Sequence, residues 1–188
     1  MELIKHTDFI WEYKNCVPEY ICEEFTKSAS KIPWISKNRN SLRNNDAINL
    51  TSTNSPLCNH LDQLAWNAIN PIHLKYIQAN PLVSINFPKD SKLKFGSQFF
   101  YRKYSTKDYY AWHSDISPQN NFLFSYILYL NDDYDGGATL FHQDRLKVKG
   151  TTGSILCFPC GISLLHKSTK ISRGEKHIIW VCYEFVGK

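Results

Sequence analysis

The chain has 188 residues, 43% hydrophobic and 14% aromatic, which suits one domain or one core with an attached helical layer. Charged residues make up 21%, which argues against wholesale disorder, and no apolar run is long enough to cross a bilayer. A net charge of +5 permits an acidic partner without requiring one.

Residues 1–13 alternate charged and apolar side chains and lack a signal-peptide core, so a soluble, non-secreted, cytoplasmic protein is expected. Pro18 suits a first helical position, with Glu19, Glu23 and Glu24 at the positive end and Lys27 and Lys31 at the other. Ile21, Phe25, Ala29 and Ile32 form the apolar stripe of this helix. The polar stretch 36–45 reads as a loop. Ser55-Pro56 opens a second helix with Leu57, Leu61, Leu64 and Ala68 on one face. Pro71 is expected to end or kink it, with residues 72–78 continuing as helix.

From about residue 82 short β-branched and aromatic runs take over: 82–87, 93–104, 109–115, 122–130, 138–141, 145–149, 155–158 and 177–185. Turn chemistry separates them at Asn131-Asp-Asp, Asp135-Gly-Gly137, Gly150-Thr-Thr-Gly153 and Arg173-Gly174. Many short strands predict a mainly β protein, a sandwich or barrel of which a double-sheet jelly roll is one form. The helices of residues 1–81 would cover one outer face of a core formed by residues 82–188, all as one domain.

Six cysteines occur, several inside apolar runs, and the expectation is small buried hydrophobes. Cys157 and Cys160 have CxxC spacing, but no second ligand pair exists to complete a zinc site. Lys27, Lys31, Lys37, Arg39 and Arg43 cluster in sequence; a solvated face is favoured over a nucleic-acid surface, since no nucleic-acid motif accompanies them.

Three His-x-Asp pairs are present: His60/Asp62, His113/Asp115 and His142/Asp144. Residues i and i+2 share a face on a strand and point apart on a helix. His60 and Asp62 fall in the predicted second helix. His142 and Asp144 border a polar stretch and look like an exposed hairpin. His113 and Asp115 end an aromatic, strand-like run. Two histidines and a carboxylate on one face of an octahedron are the ligand set of non-haem iron(II) oxygenases. His166 is favoured as the third ligand, because the chain between Asp115 and His166 is long enough for several strands before it returns.

The segment from Tyr104 to Asp115 then resembles the prolyl 4-hydroxylase-like branch of the 2-oxoglutarate/Fe(II)-dependent dioxygenases. Tyr104 and Tyr110 stand nine and three residues before His113, as the branch's tyrosines do. Tyr126-Ile-Leu-Tyr-Leu-Asn131 and Gly136-Gly137-Ala-Thr139-Leu-Phe141 follow, and Gly153-Ser-Ile-Leu-Cys-Phe158 leads to His166. Lys176 lies ten residues beyond His166, where the family's basic residue holds the far carboxylate of 2-oxoglutarate. The resemblance covers roughly residues 95–186. It departs at residues 105–109, which lack the family's glycines, and at Cys182, where nucleic-acid demethylases of related type carry arginine.

The resemblance implies a double-stranded β-helix that binds Fe(II), 2-oxoglutarate and O2, with ascorbate as a reductant. It implies hydroxylation of a substrate C–H bond coupled to decarboxylation of 2-oxoglutarate to succinate and CO2. His113, Asp115 and His166 would hold the metal; Lys176, Tyr104 and Thr139 would hold 2-oxoglutarate, with Trp180 on the Lys176 face and Arg173 as a spare cation. A peptidyl proline is the favoured substrate, lying against Trp112, Tyr109 or Tyr101, with no membrane partner and nucleic acid disfavoured. Another protein side chain, a small molecule or nucleic acid as substrate, and a jelly-roll binding module without turnover, are the alternatives. Residues 36–45 and 105–109 are the lid candidates.

Overall fold

The computed structural model describes residues 1–32, 34, 36–85, 94–116, 122–143 and 145–187. The first part of the chain contributes β1 (Glu2–Lys5), β2 (Trp11–Lys14), α1 (Glu19–Ser28), β3 (Ser36–Arg39), β4 (Arg43–Asn49), α2 (Pro56–Ala79) and the short α3 (Pro81–Ser84). Long strands follow: β5 (Lys94–Tyr104), β6 (Tyr109–His113) and β7 (Phe122–Tyr129). Shorter ones come next: β8 (Asp135–Gly136), β9 (Thr139–Phe141), β10 (Lys147–Val148), β11 (Ile155–Pro159), β12 (His166–Ser168) and β13 (Ile171–Arg173). β14 (Lys176–Gly187) completes the set.

The strands hydrogen-bond in the order β1-β2-β11-β7-β14-β5-β4-β6-β12-β9-β10, with β3 on β4 and a separate β8–β13 pair. This antiparallel sheet curls into a jelly roll. The β2-β11-β7-β14-β5 stretch forms one wall and β6-β12-β9-β10 the other. β4 joins them, pairing β5 through Asp46–Asn49 and β6 through Arg43 and Asn44.

Side-chain alternation divides the core in two. Phe124, Tyr126 and Leu128 of β7, Ile155 and Cys157 of β11, and Ile179, Val181 and Tyr183 of β14 pack with α1 and α2 in one cluster. Ile127 and Tyr129, Leu156 and Phe158, and Ile178 face the other way, into the roll. The helices therefore cover one outer face of the long wall. Each fully buried Leu, Ile or Phe contributes about 1.5–3 kcal/mol by leaving water.

Several sequence expectations are corrected. Residues 36–45 are not a loop but lie largely in the β3–β4 hairpin. Their polarity misleads because Asn45, Ala47 and Ile48 are buried on a strand that the ladder to β5 and β6 holds in place. In α2 the buried stripe is Cys58, Leu61, Ala65, Ile69, Ile72, Tyr76 and Ile77, with Leu57, Leu64 and Ala68 only partly covered. Pro71 lies inside α2 without ending it; both Pro71 and Asn67, whose carbonyl loses its partner, are exposed to water. The strand expected at 82–87 is α3 at its start, capped by the Asn80 side chain on the Leu82 N–H; residues 86 and 87 lie outside the described residues. The N-terminal strands β1 and β2, and the short β8, β12 and β13, carried no sequence pattern strong enough to be read. Among the described residues no helix is long and apolar enough to cross a membrane.

Candidate metal centre and cosubstrate pocket

His166 on β12 lies directly opposite His113 on β6, and the two rings are 4.3 Å apart. Cross-strand partners on one face come this close by the geometry of the ladder alone. Asp115 follows β6 two residues after His113. Its two carboxylate oxygens each lie 3.6 Å from a histidine Nε2, Oδ1 from His113 and Oδ2 from His166. That is too long for a hydrogen bond. All three side chains are at least nine-tenths buried.

The other ring nitrogens fix the proton positions. His113 Nδ1 is 2.8 Å from the Ala111 carbonyl and His166 Nδ1 is 3.1 Å from the Leu164 carbonyl. A carbonyl only accepts, so each Nδ1 carries the hydrogen and each Nε2 presents a lone pair. Among the described residues Asp115 Oδ2 is buried without a hydrogen-bond partner. Burial alone would raise the Asp115 carboxyl, but the facing His166 and His113 hold it well below the usual carboxylate range. Burial pushes the His166 imidazole down, against the pull of Asp115. With both rings neutral, three lone-pair donors meet within 4.8 Å. A divalent cation fits this set; its ligand atoms match what Fe(II) accepts.

The neighbouring cleft is lined by Arg102, Tyr104, Tyr110, His113, Ile127, Thr139, His166, Lys176 and Trp180, among others. Lys176, Tyr104 and Thr139 are thus brought together beside the three candidate ligands. Lys176 is 1% exposed; its ammonium donates to the Gly137 carbonyl at 2.6 Å and reaches Ser168 Oγ at 3.4 Å. Burial lowers its pKa to about 7. Gly137 has φ +63°, and a side chain there would meet Lys176 Cδ at 3.2 Å and Ile171 Cδ1 at 2.4 Å, so this close approach requires glycine. The Thr139 hydroxyl is 2.9 Å from that of Tyr129. Trp180 shares the Lys176 face, as alternation predicts, and donates from Nε1 to Ser125 Oγ.

The remaining sequence candidates lie elsewhere. His60 pairs with Glu24 at 2.5 Å and Asp62 accepts from the Thr51 hydroxyl, both on the exposed side of α2. His142 is exposed beside Trp112; Asp144 lies outside the described residues. Arg173 is exposed and bound to Asp135, so it is no spare cation. Tyr101 faces the helices, hydrogen-bonded with His177, and cannot meet a substrate in the roll. Cys157 and Cys160 do not act as a pair: Cys157 is in the helix-side core, and Cys160 Sγ lies 3.7 Å from Cys182 Sγ. Tyr129 and Arg102 line or support the cleft and were missed. Arg102 was within reach, since it lies two residues before Tyr104 on one strand and so shares its face.

Residues 99–183 match the family model described as the 2OG-Fe(II) oxygenase superfamily. No curated protein matches the chain by sequence. Among solved structures, the viral collagen prolyl hydroxylase from Paramecium bursaria Chlorella virus-1, in its 2OG complex, superposes with a TM-score of 0.72 at 18% identity, over 95% of this chain and 97% of that one. A prolyl-4-hydroxylase from Pseudomonas putida gives 0.71 at 16% identity, over 94% and 92%. A prolyl hydroxylase from Trichoplax adhaerens, solved with a hypoxia inducible factor peptide fragment, gives 0.74 at 11% identity, over 95% and 84%. At these identities the likeness is one of fold.

Proposed function

We propose that this chain, which carries a 2OG-Fe(II) oxygenase domain and is a dioxygenase, binds Fe(II) through His113, Asp115 and His166 and hydroxylates a peptidyl proline. The observation that carries the reading is the convergence of two Nε2 atoms, each on a ring whose Nδ1–H is spent on a carbonyl, on a buried carboxylate with an oxygen that has no hydrogen-bond partner among the described residues. A hydrogen-bonded structural triad would place a proton on each contact; this one leaves room for a cation instead.

Fe(II) with 2-oxoglutarate and O2 supplies decarboxylation to succinate and CO2 coupled to hydroxylation of a substrate C–H bond. The protein's part is binding and exclusion. The carbonyls of Ala111 and Leu164 hold each imidazole in the metal-binding tautomer. Lys176 offers the far carboxylate of 2-oxoglutarate a charge-assisted hydrogen bond, and Tyr104 and Thr139 offer hydroxyls beside it. Ile127 and Ile178 add apolar side chains to the lining of the cleft.

Proline as substrate is supported by likeness to prolyl hydroxylases, one of them solved with a peptide. Trp112, next to His113 on β6, is 40% exposed beside His142 and Lys167 and offers a peptide an aromatic surface. The test is succinate release from 2-oxoglutarate by the purified protein with Fe(II), ascorbate and O2, with and without proline-rich peptides. Peptide-stimulated release with hydroxyproline in the product is expected. Release that no proline peptide raises above background would contradict the substrate.

A further inference from the structure

We propose that Arg102 binds a carboxylate of the substrate, making the site selective for substrates that carry one beside the oxidised C–H bond; this rests on the dioxygenase reading above. Arg102 lies on β5 opposite Ile178 of β14 and is 6% exposed. It lines the same cleft as the proposed ligands and Lys176. Its guanidinium carbon sits 4.2 Å from the Trp180 ring centroid and 5.4 Å from that of Tyr110. Tyr110 in turn stacks on His113 at 3.6 Å. Among the described residues the Arg102 Nε is buried without a hydrogen-bond partner. No ion pair ties Arg102 to a carboxylate among the described residues.

A guanidinium stays charged in proteins, so burial cannot neutralise it as it can a lysine. Aromatic faces and a hydrogen bond to the Tyr104 side chain offset part of the desolvation cost but leave the Nε–H donor unused. A buried cation of this kind calls for an anion.

Charge balance indicates which anion. A divalent metal and a protonated Lys176 bring three positive charges; Asp115 and 2-oxoglutarate bring three negative. That set is neutral without Arg102. Arg102 is therefore a surplus cation in the loaded centre, and the component still to be added is the substrate. Half-buried Arg43 adds to the same field: its guanidinium carbon is 5.6 Å from the Tyr110 ring, and its Nε also lacks a partner among the described residues. A carboxylate matches two guanidiniums better than a neutral peptide does.

The carboxylate has two sources, an acidic residue next to the target in a peptide or the free carboxyl group of an amino acid. Titration calorimetry of the whole protein without oxygen, loaded with Mn(II) and then 2-oxoglutarate, separates them. The probes are capped pentapeptides with glutamate or glutamine beside proline, and L-proline against L-prolinamide. At least one carboxylate-bearing probe is expected to bind about tenfold more tightly than its carboxamide partner, and the pair that differs names the source. Arg102→Met is expected to abolish that preference and Arg102→Lys to keep part of it, with 2-oxoglutarate affinity unchanged in both. Equal binding within both wild-type pairs would overturn the inference without recourse to any variant. So would a loss of 2-oxoglutarate affinity in Arg102→Met equal to the loss for substrate, since Arg102 would then serve the cosubstrate. A wild type that takes up neither Mn(II) nor 2-oxoglutarate would sink the dioxygenase reading, and this inference with it. A loaded protein without carboxylate preference would sink this inference alone.

Discussion

Lys176 and His177 are neighbours in sequence, yet they sit on opposite faces of β14 in different chemistries. On the helix side, polar groups are tied to tyrosine hydroxyls. His177 Nδ1 lies 2.9 Å from the Tyr101 hydroxyl, and His73 Nδ1 lies 2.7 Å from that of Tyr126. The His73 ring stacks on Tyr183 at 3.9 Å, and burial pushes its pKa down to about 3. These are neutral, structural imidazoles. Inside the roll, His113 and His166 spend Nδ1 on backbone carbonyls and turn Nε2 toward a carboxylate. Burial is common to both sets. What separates the candidate ligands here is that both Nε2 atoms converge on one shared, buried carboxylate, whereas the His177 Nε2 faces the exposed Glu175 at 3.7 Å.

The sharpest way to break this comparison is to change the inner face at the triad. Asp115→Ala is expected to cut succinate formation by more than about 100-fold, beyond what outer-shell changes cost. Its thermal midpoint should move little. Retained turnover would remove Asp115 from the metal site. On the outer face, Ile179 is fully buried against the helices. Ile179→Ala is expected to cost about 2–5 kcal/mol of stability, measured by urea unfolding, while the folded fraction keeps its 2-oxoglutarate affinity. A large loss of that affinity would show that the two faces are not separable.

Lys176→Met should weaken 2-oxoglutarate binding by about 10–100-fold, from the roughly 1.5–3 kcal/mol of a hydrogen bond to a charged group. Stability should hold or rise, since a buried cation is removed. An unchanged affinity would assign the carboxylate to another residue. The smallest effect is on pH. With a pKa lowered to about 7 in the free protein, Lys176 loses its proton as pH rises through that value. The carboxylate needs the ammonium, so bound Lys176 titrates higher and binding takes up a proton. Affinity for 2-oxoglutarate should therefore fall above pH 7, by up to about tenfold per pH unit, and Lys176→Met should be flat. A wild-type affinity constant from pH 7 to 9 would contradict this.

Much of the inner face was legible in the sequence because strand alternation is a strict period of two. It put Lys176 and Trp180 on one face, as the lining of the cleft bears out. His113 and Asp115 were readable by the same rule. The rest was hidden for identifiable reasons. β12 has three residues, too few to show a period, so His166 could be reached only through chain length and family resemblance. The hairpin of residues 36–49 looks polar because its partners, not its composition, make it a strand. α2 shifts its buried stripe by one residue because Cys58, Ala65 and His73, weak hydrophobic signals, face the sheet. Arg102 was passed over because a buried arginine runs against its residue type.

The most direct test of the central claim is calorimetric titration of 2-oxoglutarate into the protein without oxygen, with and without Fe(II). It should be run on the wild type and on His113→Ala, His60→Ala and His142→Ala. Metal-dependent binding that is lost only in His113→Ala is the expected result. It would tie both the metal and the cosubstrate to the pair on β6. Binding that survives His113→Ala, or that is lost equally in His60→Ala or His142→Ala, would contradict the account.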